Sequence, residues 1–132
     1  MIEKLERVLL VKRPLEDAEL PGVWGLPACS LEAEESWRQA ARRCARVKLG
    51  VQLEVVELAG GGRQERSDYA LHMRLFSARL TTGEKPKVPQ PDAGMTQYSA
   101  CRWATKSEAL DVFKKGEAQG SLCCALAAKR ME

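Results

Sequence analysis

The chain has 132 residues, 45% of them hydrophobic and 30% charged, a composition typical of one folded globular domain rather than a disordered chain. The net charge of +3 is too small to indicate a nucleic-acid-binding protein by itself, so nucleic acid is not the expected partner. The apolar run Val8–Val11 is too short to cross a membrane. The odd number of five cysteines, with no C-x-x-C pair, predicts reduced thiols in a cytoplasmic protein.

The first half of the chain predicts a strand, a loop and a helix. Arg7–Lys12 is a short apolar run typical of a buried strand, and the acidic, proline-bounded segment Pro14–Pro21 predicts a loop. Ser36 and Gln39 have the spacing of a capping box, which predicts a helix that starts at Ser36. Gly50 is the expected C-terminal cap of this helix.

Two strands are predicted next. Val51–Leu58 alternates in polarity, and the glycines Gly60–Gly62 are expected to end that strand. Tyr69–Leu80 predicts a longer strand in which the apolar side chains change face, so a bulge or twist is expected near Leu75. The proline- and glycine-containing segment Thr82–Gln97 predicts a loop.

The last third predicts one strand and two helices. Tyr98–Trp103 is the expected final strand, and Thr105 with Glu108 repeats the capping-box spacing for a helix that ends at Gly116. A short alanine-rich helix is expected from Ser121 to about Arg130. This order of elements favours an α/β (α+β) fold with a mixed β-sheet sandwiched between α-helices.

The stretch GLPACSLEAEESWRQAARRCARVKLGV, residues 25–51, joins a loop and acidic residues to the first predicted helix. Together with the preceding strand and the segment PGVWGLP, it resembles the Nudix (MutT-like) hydrolase family, whose motif is G-x5-E-x7-R-E-U-x-E-E-x-G-U with U apolar. The motif positions kept here are Glu35, Arg43, Gly50 and Val51. Cys29 stands at the first glycine position. The resemblance covers nearly the whole chain and implies one Nudix-type domain over residues 1–132.

The three helix glutamates of the motif are replaced by Cys44, Val47 and Lys48. The resemblance implies a pyrophosphohydrolase of nucleoside triphosphates or nucleoside-diphosphate derivatives that uses Mg²⁺, an ion that takes oxygen ligands. These three positions share one helix face, where a thiol is a soft ligand and valine has no donor. Lys48 would repel a cation about 4 Å away by about 4 kcal/mol at an intermediate dielectric constant. The residues therefore predict weak or lost activity from a degenerate motif.

Other carboxylates are available near the predicted cleft. Glu32 and Glu35 are the catalytic candidates, since they lie closest to it in the resembling fold, whereas Asp68 and Asp92 sit in loops. The resemblance also implies that Glu35 forms an ion pair with Arg43 that holds the loop against the helix. We expect that structural role for the pair rather than a rescued metal site.

The first helix carries a stripe of arginines at Arg38, Arg42 and Arg46. Such a stripe binds phosphates or RNA in some proteins and is the solvated face of an amphipathic helix in others. The solvated face is favoured, because no aromatic residues interleave with the basic ones. The opposite side, expected in the core, consists of Trp37, Ala40, Ala41 and Cys44.

Substrate-pocket candidates are Lys48, Tyr98 and Trp103, of which Tyr98 and Trp103 either stack a nucleobase or pack against the second helix. Three functions stay open. The first is a hydrolase with an eroded motif. The second is a non-catalytic module that binds a nucleotide or its phosphates, with Lys48 replacing the charge of the metal. The third is a partner-binding structural domain, with a homodimer as one form.

Overall fold

The computed structural model describes residues 1–81, 83–91 and 97–132. The strands are β1 (Glu3–Lys4), β2 (Arg7–Lys12), β3 (Trp24–Gly25), β4 (Leu53–Glu65), β5 (Ala70–Leu80) and β6 (Ala100–Thr105). The helices are α1 (Trp37–Leu49), α2 (Lys106–Ala118) and α3 (Leu122–Met131). Part of the predicted loop Thr82–Gln97, including Asp92, lies outside the described residues. Within the described ranges, no helix is long and apolar enough to span a membrane.

Strand β2 lies at the centre of the first of two sheets. It pairs along its whole length with β6, and its other edge pairs with β1 at one end and β3 at the other. Strands β4 and β5 form a second, two-stranded ribbon, also antiparallel. A single parallel bridge between Ile2 and Ala78 connects the two sheets. The sequence predicts a mixed sheet, with both parallel and antiparallel pairing. In the described residues, this bridge is the only parallel pairing.

The helices cover both faces of the β2 sheet. Val8 and Leu10 are fully buried in a cluster with side chains of α2 and α3, whereas Leu9 and Val11 are fully buried in a second cluster with α1. Successive side chains of a strand point to opposite faces, so one apolar strand supplies both cores. The predicted α+β sandwich is thus confirmed.

Both predicted capping boxes are present. The Ser36 hydroxyl accepts from the backbone N–H of Gln39 at 3.1 Å, and the Gln39 side chain accepts from Ser36 N at 2.8 Å. Helix α1 ends at Gly50, which has a left-handed φ of 69°. The prediction that α2 ends at Gly116 is wrong, since this residue lies inside the helix. A Cβ there would lie 2.4 Å from the Cys124 sulfur, so the glycine permits close packing of α3.

The glycines Gly60–Gly62 do not end the second predicted strand, because β4 continues through them to Glu65. A Cβ on Gly62 would lie 3.1 Å from a Leu126 methyl carbon of α3, so close helix packing explains that residue. The register shifts lie in β4, opposite the stretch of β5 that contains Leu75. The sequence predicts the irregularity in β5, whereas the structure has it in the partner strand β4.

Several other expectations differ from the structure. β6 begins at Ala100 rather than Tyr98, and the short strands β1 and β3 were not predicted. β1 and β2 are joined by a two-residue turn in which Leu5 and Glu6 both have positive φ, a conformation with no glycine or asparagine to signal it. Trp37, expected in the core, is 37% exposed, because it lies in the first turn of α1.

Candidate functional site

The loop before α1 is fastened to the helix by Arg43. The Arg43 Nε atom donates to Glu35 Oε2 at 2.8 Å, and Nη2 donates to Glu35 Oε1 at 3.0 Å. Nη2 also donates to the carbonyl oxygen of Ser30 at 2.7 Å. The ion pair expected between Glu35 and Arg43 is therefore present, as a two-point contact between a loop and a helix.

Glu35 has little free capacity for another partner. Besides both contacts with Arg43, its Oε1 accepts from the backbone N–H of Glu32 at 3.1 Å. The hydrogen bonds from Arg43 hold the pKa of Glu35 below its usual value, and those to Glu35 raise the pKa of Arg43. The Glu32 carboxylate is more loosely placed, 3.5 Å from Arg43 Nη1. Both catalytic candidates thus face the same guanidinium group.

Lys48 reaches back from α1 to the same loop. Its Nζ atom donates to the carbonyl oxygen of Ala28 at 2.5 Å and lies 5.2 Å from the centroid of the Tyr98 ring. Burial lowers the pKa of Lys48. A half-buried ammonium group held by a carbonyl and an aromatic face provides a localised positive charge on this side of the helix.

Tyr98 fixes the same peptide unit. Its hydroxyl accepts from Ala28 N at 2.9 Å and donates to Ala28 O at 3.2 Å. The side chain is 3% exposed, and burial raises the pKa of Tyr98. Because its hydroxyl is occupied and its ring lies in the α1-side core, Tyr98 anchors the loop rather than offering a face to a nucleobase.

Cys44 lies close to Cys29, a proximity that sequence reasoning missed, and the Cys29 thiol donates to the carbonyl oxygen of Ala40 at 3.5 Å. Interaction with the Cys44 thiol, followed by the charges of Arg43 and Lys48, lowers the pKa of Cys29 to about 7. Interaction with Cys29 and burial raise the pKa of Cys44, which is 5% exposed. Fifteen positions separate the two cysteines, so only the return of the loop onto α1 brings them together. One indication of this proximity was available in the sequence, because Cys29 and Cys44 both occupy positions of the Nudix motif.

Trp103 lies on the α1 side of the sheet, where it packs against the cluster containing Leu9. The alternative that Trp103 and Tyr98 pack against the second helix is wrong, because both side chains lie on the face opposite α2. Trp103 stays half-buried. The structure therefore brings Lys48 to Tyr98, and it leaves Trp103 as a separate part of that cluster.

An open cavity of about 460 Å³ lies where the loop meets the exposed face of α1. Charged and polar side chains line it: Glu32, Glu34, Glu35, Gln39, Arg42 and Arg46. Lys48 and Tyr98 do not line this cavity. The catalytic candidates Glu32 and Glu35 therefore line this cavity, whereas the substrate-pocket candidates Lys48 and Tyr98 lie outside it.

The donors on the α1 face do not fit a magnesium ion. Mg²⁺ requires several oxygen ligands in near-octahedral geometry, whereas this face presents a buried thiol from Cys44, the apolar Val47 and the ammonium of Lys48. In the part of the chain that the structure describes, no three histidine, cysteine or acidic side chains group together as metal ligands. No chemical step through a bound metal follows from these residues.

The family of the chain follows from the fold and this loop–helix arrangement together. A NUDIX domain model matches residues 1–122, and the chain belongs to the Nudix family. Over 76 residues the chain is 32% identical to the CTP pyrophosphohydrolase of Escherichia coli (strain K12). That match covers 58% of this chain and 56% of the relative, so little more than half of the relative's length is represented.

Solved structures agree with this assignment. A MutT NUDIX hydrolase from Burkholderia pseudomallei is 25% identical, with a TM-score of 0.63 over 80% of this chain and 78% of that one. A NUDIX hydrolase from Nitrosomonas europaea has a TM-score of 0.70 at 19% identity and covers 98% of this chain and 82% of its own. At that identity, the second likeness concerns the fold alone.

Proposed function

We propose that this chain is a nucleotide-binding Nudix protein whose magnesium-dependent pyrophosphohydrolase activity is weak or absent. The observation that carries the proposal is the hydrogen bond from Lys48 to the Ala28 carbonyl oxygen. It places a fixed positive charge on the helix face where the motif has carboxylates. A cation held there attracts phosphate oxygens without a metal, but it also opposes the binding of a divalent ion.

The proposed ligand class is a nucleoside triphosphate or a nucleoside-diphosphate derivative. The likeness to a CTP pyrophosphohydrolase supports this class. Glu32 and Glu35 are poor replacements for the missing ligands, since both carboxylates already contact Arg43 and Glu35 accepts three hydrogen bonds. We assign these two glutamates to holding the loop on α1.

Thermal denaturation with CTP or ATP, each with and without Mg²⁺ or Mn²⁺, tests the proposal. A ligand that binds only the native state raises Tm, by the equivalent of about 2.7 kcal/mol at one hundred times Kd. We expect nucleotide to raise Tm without metal, metal to add nothing, and pyrophosphate release to stay at background. Lys48→Gln should abolish the shift caused by nucleotide.

Two results would contradict this function. Robust Mg²⁺-dependent turnover that is lost in Glu32→Gln or Glu35→Gln would establish a relocated carboxylate site. Absence of any shift with nucleotides in the parent protein would favour the partner-binding domain instead.

A further inference from the structure

The exposed side of α1 and the ribbon strand β5 form a surface in which cations and aromatic rings alternate. The Arg38 guanidinium lies 5.5 Å from the centroid of the Phe76 ring, and the Arg74 guanidinium lies 5.2 Å from the Trp37 ring. The helix and the strand exchange one such contact in each direction. Tertiary structure thus brings Arg74 and Phe76 of the strand beside Trp37 and Arg38 of the helix.

Carboxylates border this surface at the cavity that Arg42 and Arg46 line together with Glu32, Glu34 and Glu35, but they do not pair with its arginines. Arg38, Arg42 and Arg46 are exposed and follow one another at about 6 Å along α1. Among the described residues, none of these three arginines, nor Arg74, forms an ion pair. Four arginines on one surface therefore have free donors for an anionic partner.

Two acids of β4 lie on the other side of the ribbon. Glu54 pairs with Arg79 and Glu57 pairs with Arg130, and both acids lie opposite odd-numbered residues of β5. Arg74 and Phe76 are even-numbered and face the opposite way. Glu54 and Glu57 are thus kept away from the unpaired arginines, whereas Glu65 lies on the arginine face, opposite Ala70, where it pairs with Arg63.

Apolar area accompanies these arginines. Leu58 lies directly opposite Phe76 in the ribbon and is 47% exposed, and the Trp37 indole is 37% exposed. A purely electrostatic contact, such as one with an acidic peptide, makes no use of an exposed indole. Single-stranded nucleic acid uses both features, because its phosphates take arginine donors and its unpaired bases stack on aromatic faces.

We propose that this surface, formed by Trp37, Arg38, Arg42, Arg46, Leu58, Arg74 and Phe76, binds single-stranded nucleic acid without sequence preference. The arginines contact successive phosphates, and a base stacks on the exposed part of the Trp37 indole. A duplex fits less well, since its base faces are covered by stacking.

Fluorescence polarisation of labelled oligo-dT and oligo-U measures the binding. Four phosphate contacts predict a slope of about −3 for log K against log salt concentration, at about 0.7 per contact. The variant Arg38→Ala/Arg74→Ala removes two contacts, so it should bind at least about tenfold more weakly and make the slope less steep by about 1.4. Trp37→Ala should weaken binding at least about fivefold at an unchanged slope.

Arg79→Ala is the matched control, because it removes an exposed arginine from the other face of the same strand. We expect it to bind like the parent. The proposal is overturned if the oligonucleotides do not bind, if Arg79→Ala loses as much affinity as the double variant, or if a duplex or a poly-glutamate peptide of equal length binds more tightly. Circular dichroism melting verifies that each variant is folded.

Discussion

The Lys48 side chain bonds to the Ala28 carbonyl oxygen across twenty positions of the chain, and Tyr98 bonds to both polar atoms of the same residue. The loop before α1 is thereby fixed to the helix by Lys48 and to the segment preceding β6 by Tyr98. A glutamate at position 48 could not donate to that oxygen, so this loop contact and a carboxylate metal ligand are mutually exclusive at this position.

Restoring the motif should exchange this contact for metal binding. The triple variant Cys44→Glu, Val47→Glu, Lys48→Glu should show a Tm that rises with Mg²⁺, which the parent lacks. Without metal its Tm should fall below that of the parent, because the acids repel each other and Cys44 is buried. The control Cys44→Gln, Val47→Gln, Lys48→Gln places neutral amides of similar size at the same positions and should gain no Mg²⁺ response.

Removing the Glu35 carboxylate should destabilise the protein, because Arg43 then loses a two-point partner that is only 13% exposed. We expect Glu35→Ala to lower Tm by roughly 5 °C at pH 7. Glu54→Ala, which breaks an exposed pair with Arg79, is the control and should change Tm by no more than about 2 °C.

The effect of Glu35→Ala should also depend on pH. The pKa of Glu35 is lowered in the folded protein, so its contribution to stability is present above the unfolded value of about 4.3 and is lost as the pH falls through the folded value. The Tm difference between parent and variant should shrink as the pH falls below about 4. A Tm difference that stays constant down to pH 2 would contradict the ion-pair origin.

Cys29 should react as an unusually acidic thiol. Its pKa of about 7 predicts that iodoacetamide labelling, followed residue by residue by mass spectrometry, rises to half its maximum near pH 7. Cys44→Ala removes the largest cause of the shift and should move the midpoint upward. Cys101, whose pKa is raised by burial, serves as the internal comparison. Identical midpoints for parent and Cys44→Ala would show that the two thiols do not interact.

Gly50 should tolerate no side chain without loss of stability. Its φ of 69° is left-handed, and a Cβ would lie 2.9 Å from the Gln90 amide nitrogen. Gly50→Ala should cost about 1 kcal/mol of unfolding free energy, measured by urea denaturation. Gly83→Ala adds a methyl group in open space at a residue without positive φ and should be neutral. Equal midpoints for the two variants would show that Gly50 is not strained.

Elements governed by chain neighbours were predictable. The capping boxes of α1 and α2 depend on residues three positions apart, and the burial of β2 on both faces follows from an uninterrupted apolar run. Glycines were misleading, because Gly62 and Gly116 make room for residues of α3 rather than end an element. No residue close to either glycine in the sequence indicates that α3 packs against it.

By itself, the sequence determined the Nudix frame, the helix ends and the identity of the side chains on the inner face of α1, all of which depend on spacing within one element. Only the tertiary structure decided what those side chains contact. Lys48 meets Ala28, Cys44 meets Cys29, and Trp37 meets Arg74. These contacts join residues 15 to 37 positions apart, and their geometry depends on how the loop and the ribbon pack on α1, which no local pattern encodes.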